Sequence, residues 1–322
     1  MSKSDHSVQV ESVSKYYGDF AAVDDLSFEV PTGVVYGILG PNGAGKTTTL
    51  RMINNIILPD RGEITLLGNL RPGMQAATRI GYLPEERGLY PKMKVRQTLA
   101  FFGALRGLGG AAADKQADMW LARLQLSDWS GNSVQDLSKG MQQKVQFATA
   151  LIHDPDLLIL DEPWSGLDPI NAEVLQDITQ AQREAGKTIL FSTHLMEQAE
   201  SLCDHVCIMA KGCKAVEGRL DVLKKEAASE GLILLAFASE AVAERATSGV
   251  LSDPMVESVR ADDAGLLVQL APGEEPAKLL AALVAAQLDV RRFEVQEASL
   301  RQIFVARVGA LADPQQQGRI VA

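Results

Sequence analysis

The densest chemistry in the chain lies in nine consecutive residues, Gly40, Pro41, Asn42, Gly43, Ala44, Gly45, Lys46, Thr47 and Thr48. Their spacing, G-x-x-x-x-G-K-T, suits a triphosphate. Glycines at 40, 43 and 45 let the main chain curl until successive N–H groups point inward, and the helix that follows presents its positive end to the same spot. Lys46 then reaches the β- and γ-phosphates, and the Thr47 hydroxyl ligates Mg2+. A glycine-rich turn without a ligand is the plain alternative. Against it, the apolar run V-V-Y-G-I-L before the loop and the helix-compatible K-T-T-T-L-R-M-I-N after it give the strand, loop and helix that the motif demands. Taken alone, the loop fits any hydrolase or kinase that uses ATP or a similar nucleotide.

A second acidic element narrows the chemistry. L-L-I-L-D-E-P places Asp161 at the exposed end of a buried strand, where a carboxylate can hold the hydration shell of Mg2+. Glu162 stands one step nearer the reacting phosphate. It is the expected general base for an attacking water, a role worth roughly 10²- to 10⁴-fold in rate. A pair that merely caps the strand is the alternative, and four apolar residues ahead of it in a phosphate-loop protein argue against that.

The elements that must position these residues follow from periodicity. Alternating runs V-Q-V-E-S-V and L-S-F-E-V, separated by K-Y-Y-G-D-F, predict antiparallel strands around a turn. Buried strands are expected at Val34 to Leu39, Leu157 to Asp161 and Thr188 to Thr193, with a helix from Ile170 to Ala185, which implies a mainly parallel sheet covered by helices. Between Lys92 and Ile152 the pattern turns helical, as for a subdomain inserted at about 88–152. After Leu223 comes a charged stretch, K-K-E-A-A-S-E, and then strand, helix, strand, strand, helix, strand from Leu232 to Val295, a ferredoxin-like order. A closing helix is expected from Ser299 to Val308. The expected domains are therefore 1–225, 226–310 and a mobile tail at 311–322.

Composition sets limits. The 322 residues carry a formal net charge of -10, from 31 Lys and Arg against 41 Asp and Glu, which argues against broad electrostatic binding to nucleic acid. The N-terminus has no apolar signal stretch, and the longest apolar runs, Leu232 to Ala238 and Leu279 to Ala286, are far short of the ~20 residues of a bilayer span. Cys203, Cys207 and Cys213, with His194 and His205 nearby, have spacings unlike common zinc sites and suit free thiols in a reducing compartment.

L-S-K-G-M-Q-Q-K (Leu137 to Lys144), set before an amphipathic helix and upstream of the acidic strand, resembles the signature of the ATP-binding cassette (ABC) ATPases. Further matches come in the family's order: Tyr17 before a glycine, S-G-L-D-P (Ser165 to Pro169) and S-T-H-L-M-E-Q-A-E (Ser192 to Glu200). The resemblance covers Val8 to about Gly218. It implies a P-loop ABC-type α/β nucleotide-binding domain with an inserted helical subdomain, beside the small α+β ferredoxin-like domain. It also implies roles: Tyr17 stacking on adenine, Ser138 and Gly140 closing over the γ-phosphate held by the opposite subunit, Asp168 at the subunit junction, and His194 orienting water at the γ-phosphate. The catalytic set implied is then Glu162, His194 and Lys46.

This chain departs from the family's usual signature at Lys139 and Met141 while keeping Ser138 and Gly140. In G-Y-L-P-E-E-R-G-L-Y it carries Glu85 where most members have glutamine. A carboxylate there would repel a γ-phosphate but can ligate a metal, so Glu85 is expected to act through Mg2+. The stretch Y-L-P-E-E-R-G-L-Y-P-K-M, the appended domain and the closing A-S-L-R-Q-I-F are similar to ATP-binding subunits of sodium- and drug-efflux exporters. The resemblance implies an ATPase dimer, of identical or paralogous subunits, around two ATP molecules. It would drive a separate membrane permease from the cytoplasmic face, touching the membrane only through that permease and binding no nucleic acid. Two other readings are a soluble ABC ATPase acting on nucleic acid or ribosomes, and a regulatory ATP sensor. The single cassette and acidic balance weigh against the first, and the intact hydrolytic set against the second.

Overall fold

The structure, a computed structural model, describes residues 6–86, 88–228, 231–262, 264–296 and 299–305. The chain divides into two compact units, Met1–Gly218 and Arg219–Ala322.

In the first unit, β1 (His6–Tyr17) and β2 (Phe20–Pro31) pair antiparallel around a two-residue turn at Gly18, whose φ of 59° suits a residue without a Cβ. Their alternation drives Val8, Val10, Val13, Leu26 and Phe28 into the core. After β3 (Val35–Leu39) and α1 (Lys46–Ile53), β4 (Arg61–Leu66) returns to the other edge of β1, giving the order β2-β1-β4. A short α2 (Met74–Ala77) leads into β5 (Ile80–Leu83), then the helices α3 (Val95–Leu105), α4 (Gly110–Arg123) and α5 (Lys139–Leu151). Arg96 on α3 grips Asp114 and Asp118 on α4 at 3.0 and 2.6 Å, fastening the two helices side by side.

The second sheet is built from β6 (Leu157–Asp161), β7 (Thr188–Thr193), β8 (His205–Ala210) and β9 (Cys213–Arg219), with α6 (Pro169–Glu184) and α7 (Met196–Leu202) between them. Its order is β5-β6-β7-β3-β8-β9, and every pairing from β5 through β8 is parallel. β3, β6 and β7 are buried at every position, as strands covered on both faces must be, which explains the short apolar runs at their centres. The phosphate loop leaves the C-terminal end of β3 at the centre of this sheet. The acidic strand β6 and the histidine strand β7 end beside it, because neighbouring parallel strands finish on the same side. The expected strands at Val34 to Leu39, Leu157 to Asp161 and Thr188 to Thr193 and the 170–185 helix stand within a residue of their positions. β1 and β2 run several residues beyond the alternating runs that predicted them, and β4 and β5, short and weakly alternating, carry no comparable sequence signal.

The second unit begins with α8 (Leu220–Ala228), followed by β10 (Leu232–Phe237), α9 (Glu240–Ser248), β11 (Val256–Asp262), β12 (Gly265–Leu270), α10 (Pro276–Ala285) and β13 (Val290–Val295). The strand order β11-β12-β10-β13, antiparallel throughout, is ferredoxin-like. Its core gathers Ile233, Leu235, Val268, Leu270, Leu279 and Leu283. The two compact units meet after Gly218, and residues 224–228 of the charged stretch belong to α8 of the second unit. The last helix is described through Val305; its remainder and the tail at 311–322 lie outside the described residues. Among the described residues, no helix is long and apolar enough to cross a membrane.

Candidate nucleotide site

The loop after β3 has the geometry its glycines call for. Gly40 lies at φ 152° and a Cβ there would stand 2.3 Å from the Met209 carbonyl; at Gly45, φ 100°, it would stand 2.5 Å from the Ala22 carbonyl. Any side chain at either position would force the loop open. Gly45 caps α1 with no side-chain hydrogen bond, so the orphan N–H groups of the first helical turn are left for an anion. Lys46 is buried, its Nζ donating to the carbonyls of Gly40 (2.8 Å) and Pro41 (3.2 Å) and standing 3.5 Å from Glu162 Oε1. The ammonium thus lies between the loop and the acidic strand.

β6 delivers the two carboxylates in different ways. Asp161 is only 1% exposed; its Oδ1 accepts from Thr47 Oγ1 at 3.1 Å and from Ser192 Oγ at 2.6 Å, while the buried Oδ2 has no partner. Burial pushes its carboxyl up, and the Ser192 and Thr47 hydroxyls only partly counter that. A cation beside Oδ2 would satisfy this orphaned oxygen. Two hard oxygens, from Thr47 and Asp161, next to a phosphate cradle fit Mg2+, which favours few protein ligands together with phosphate oxygens.

At Glu162 the chain leaves the strand with φ 46°, a left-handed conformation uncommon for a residue other than glycine. Its N–H donates to the carbonyl (3.2 Å) and hydroxyl (3.1 Å) of Ser192, which hold this turn in place. The turn aims the carboxylate away from the strand axis, so that Oε1 meets His194 Nδ1 at 3.0 Å as well as Lys46. Because an ionised carboxylate only accepts, Nδ1 carries the proton and Nε2 is left for the cleft.

Gly43, Gly45, Lys46, Thr47, Glu162 and His194 line a cleft of about 440 Å³ together with Asn42, Ala44, Thr48 and Glu85, whereas Gly40, Pro41 and Asp161 stand behind its wall and do not line it. Tyr17 and Phe20 form one wall; Tyr17 is 52% exposed, so its ring is not a core aromatic and is open to the cleft. Ser138, Gly140 and Asp168 do not line this cleft. Ser138 caps α5, its Oγ accepting from the Met141 N–H at 3.2 Å, and Asp168 caps α6, accepting from the Asn171 N–H at 3.0 Å. The Asn171 donors hold the Asp168 carboxyl below its ordinary range. The two caps are neighbours, since a Cβ on Gly140 would lie 3.1 Å from Asn171 Nδ2.

Four participants were not singled out in the sequence. Ser192 and Ser165 sit inside the matched S-T-H and S-G-L-D-P runs, so their positions were visible but their partners were not. Phe20 belongs to the turn taken only as a connection between strands. Gln146 had no signal, because a polar residue on an amphipathic helix reads as solvent-facing, yet it is 3% exposed.

The ABC transporter family matches residues 23–165, and the C-terminal domain of DrrA1-3-like ATP-binding proteins matches residues 218–308. A Bacillus subtilis (strain 168) protein named uncharacterized ABC transporter ATP-binding protein YhaQ is 40% identical over 308 residues, 94% of this chain and 98% of that protein. Nod factor export ATP-binding protein I of Cupriavidus metallidurans is 42% identical over 214 residues, 66% of this chain and 71% of that protein. A solved ATP-binding subunit of an ABC transporter superposes with a TM-score of 0.63 at 31% identity, covering 68% of this chain and 92% of its own.

Proposed function

The chain belongs to the family of ABC transporter ATP-binding subunits, ATPases that power a membrane permease, and from that premise we propose how its residues divide the work. The glycine loop and the α1 N-terminus cradle the triphosphate, with Lys46 against the β- and γ-phosphates and Tyr17 against the base. Thr47, Asp161 and Glu85 would hold Mg2+, which supplies neutralisation of the charge that builds on the phosphate oxygens. Glu162 accepts the proton of the attacking water as oxygen bonds to the γ-phosphorus and the bond to the β-phosphate oxygen breaks, leaving ADP and phosphate. His194 fixes the Glu162 carboxylate through Nδ1 and turns Nε2 toward the γ-phosphate and the water.

Ser138 and Asp168 serve a second copy. Both are exposed helix caps outside the cleft of their own protomer, and the N-terminus of α5 suits a phosphate brought to it from the facing subunit. Two chains, identical or paralogous, would then close around two ATP molecules and pull on a permease at the cytoplasmic face of the membrane, driving export. The observation that carries this reading is the convergence of Lys46 and His194 on one carboxylate oxygen of Glu162 at the mouth of the glycine loop. The experiment is Glu162→Gln. It should bind ATP with near-normal affinity, hydrolyse it at least about 10²-fold more slowly, and elute as a dimer with MgATP. Near-normal turnover would remove Glu162 from the base role.

A further inference from the structure

Along α5, Gln142, Gln143 and Gln146 share one side of the helix, at the spacing that stacks residues three and four apart. Each donates its amide to main-chain carbonyls of a different segment. Gln142 Nε2 reaches the Val134 and Leu137 carbonyls at 3.2 and 3.0 Å, just ahead of Ser138. Gln143 Nε2 reaches the Pro163 carbonyl at 3.1 Å, one residue past Glu162. Gln146 Nε2 reaches the carbonyls of Pro84 at 3.2 Å and Glu86 at 3.0 Å, the two residues that flank Glu85.

The last of these contacts is chemically exacting. Both partners are acceptors, so the side chain must present two N–H donors from one atom, and it does so from a position 3% exposed. Methionine has the length without the donors, glutamate has acceptors in place of donors, and asparagine is one carbon short. Arginine or lysine would bury a cationic head group at a position that is 3% exposed. Glutamine has the length and the paired donors that this place uses, while its buried Oε1 has no partner.

We infer that Gln146 is a positioning residue for ATP hydrolysis. It clamps the loop on both sides of Glu85, holding that carboxylate in the nucleotide cleft, and ties the loop to the rigid helix whose tip is Ser138. Glu85 lines the cleft, whereas Ser138 does not, so the clamp joins a cleft residue to the helix that carries the cap. This rests on the role proposed for Glu85.

The test is a double-mutant cycle in the full-length protein with Glu85→Ala, Gln146→Met and the combination, read by steady-state hydrolysis and by hydrogen exchange of the peptide spanning residues 80–90. Gln146→Met should lower kcat about tenfold with KM for ATP little changed, as loss of an outer-shell partner does, and should speed exchange of the 80–90 peptide. The double variant should be no slower than Glu85→Ala alone. Gln146→Asn, polar but one carbon short, should behave like Gln146→Met and serves if the methionine variant folds poorly. Losses that multiply in the double variant, or unchanged exchange over 80–90, would overturn the inference. If Glu85→Ala hydrolyses normally, it is the role of Glu85 that fails, and the exchange measurement still decides whether Gln146 holds the loop.

Discussion

At the scale of single residues, the contrast between Asp161 and Glu162 shows how neighbouring carboxylates acquire different tasks. Asp161 finishes a buried strand, spends one oxygen on two hydroxyls and keeps the other unpaired, while Glu162 is swung by a left-handed backbone onto a lysine and a histidine. The D-E pair was plain in the sequence, but the backbone turn that separates the two roles was not, since a φ of 46° at a glutamate has no sequence signal. Ser192 escaped attention for a similar reason: its hydroxyl serves both carboxylate positions from a different strand. Glu85 was legible as a departure from the family's glutamine, and the structure puts it on the cleft wall. If it acts through the metal, Glu85→Gln should raise the Mg2+ concentration needed for half-maximal hydrolysis roughly tenfold. A titration of ATPase rate against Mg2+ at saturating ATP checks this, and a superimposable curve would exclude Glu85 from metal binding.

At the scale of elements, the strands that aim the site were readable because central parallel strands are buried on both faces and carry short apolar runs. β3, β6 and β7 are such strands. β5 was missed, since four residues beginning I-G-Y offer neither length nor alternation, and its place in the sheet is set by packing instead. Gly81 shows how tight that packing is. A Cβ there would stand 2.1 Å from the Ala150 carbonyl in the last turn of α5 and 2.9 Å from Leu158 Cδ1 on β6. Gly81→Ala should therefore pry the helix from the sheet and cost about 2 kcal/mol, seen as a lower urea midpoint at similar slope. An unshifted midpoint would mean that α5 slides without cost. The helical subdomain itself was visible in its three- and four-residue repeats, but the amide contacts of its glutamines were not, because they depend on which loops lie across the helix.

At the scale of the whole molecule, the ABC transporter and DrrA1-3-like C-terminal matches fall in the first and second units in turn, and no comparison favours a nucleic-acid ATPase. In the dimer proposed above, the cradle of one chain is completed by the lid of the other, an arrangement that the sequence of one chain does not display. That division is testable by mixing defects. Lys46→Ala spoils the cradle and Ser138→Arg spoils the lid, so each alone should be nearly inactive; an equal mixture should recover roughly a quarter of the wild-type rate, because half the pairs are mixed and each mixed pair has one intact cleft. No recovery would argue that each chain completes its own cleft. The backbone turn at Glu162 also reaches this scale. A non-glycine residue held there stores about 1 kcal/mol that glycine or asparagine would release. Random change at this position thus slopes toward tougher, idle copies, and only the continuing demand for chemical work keeps a glutamate where folding alone would choose something else.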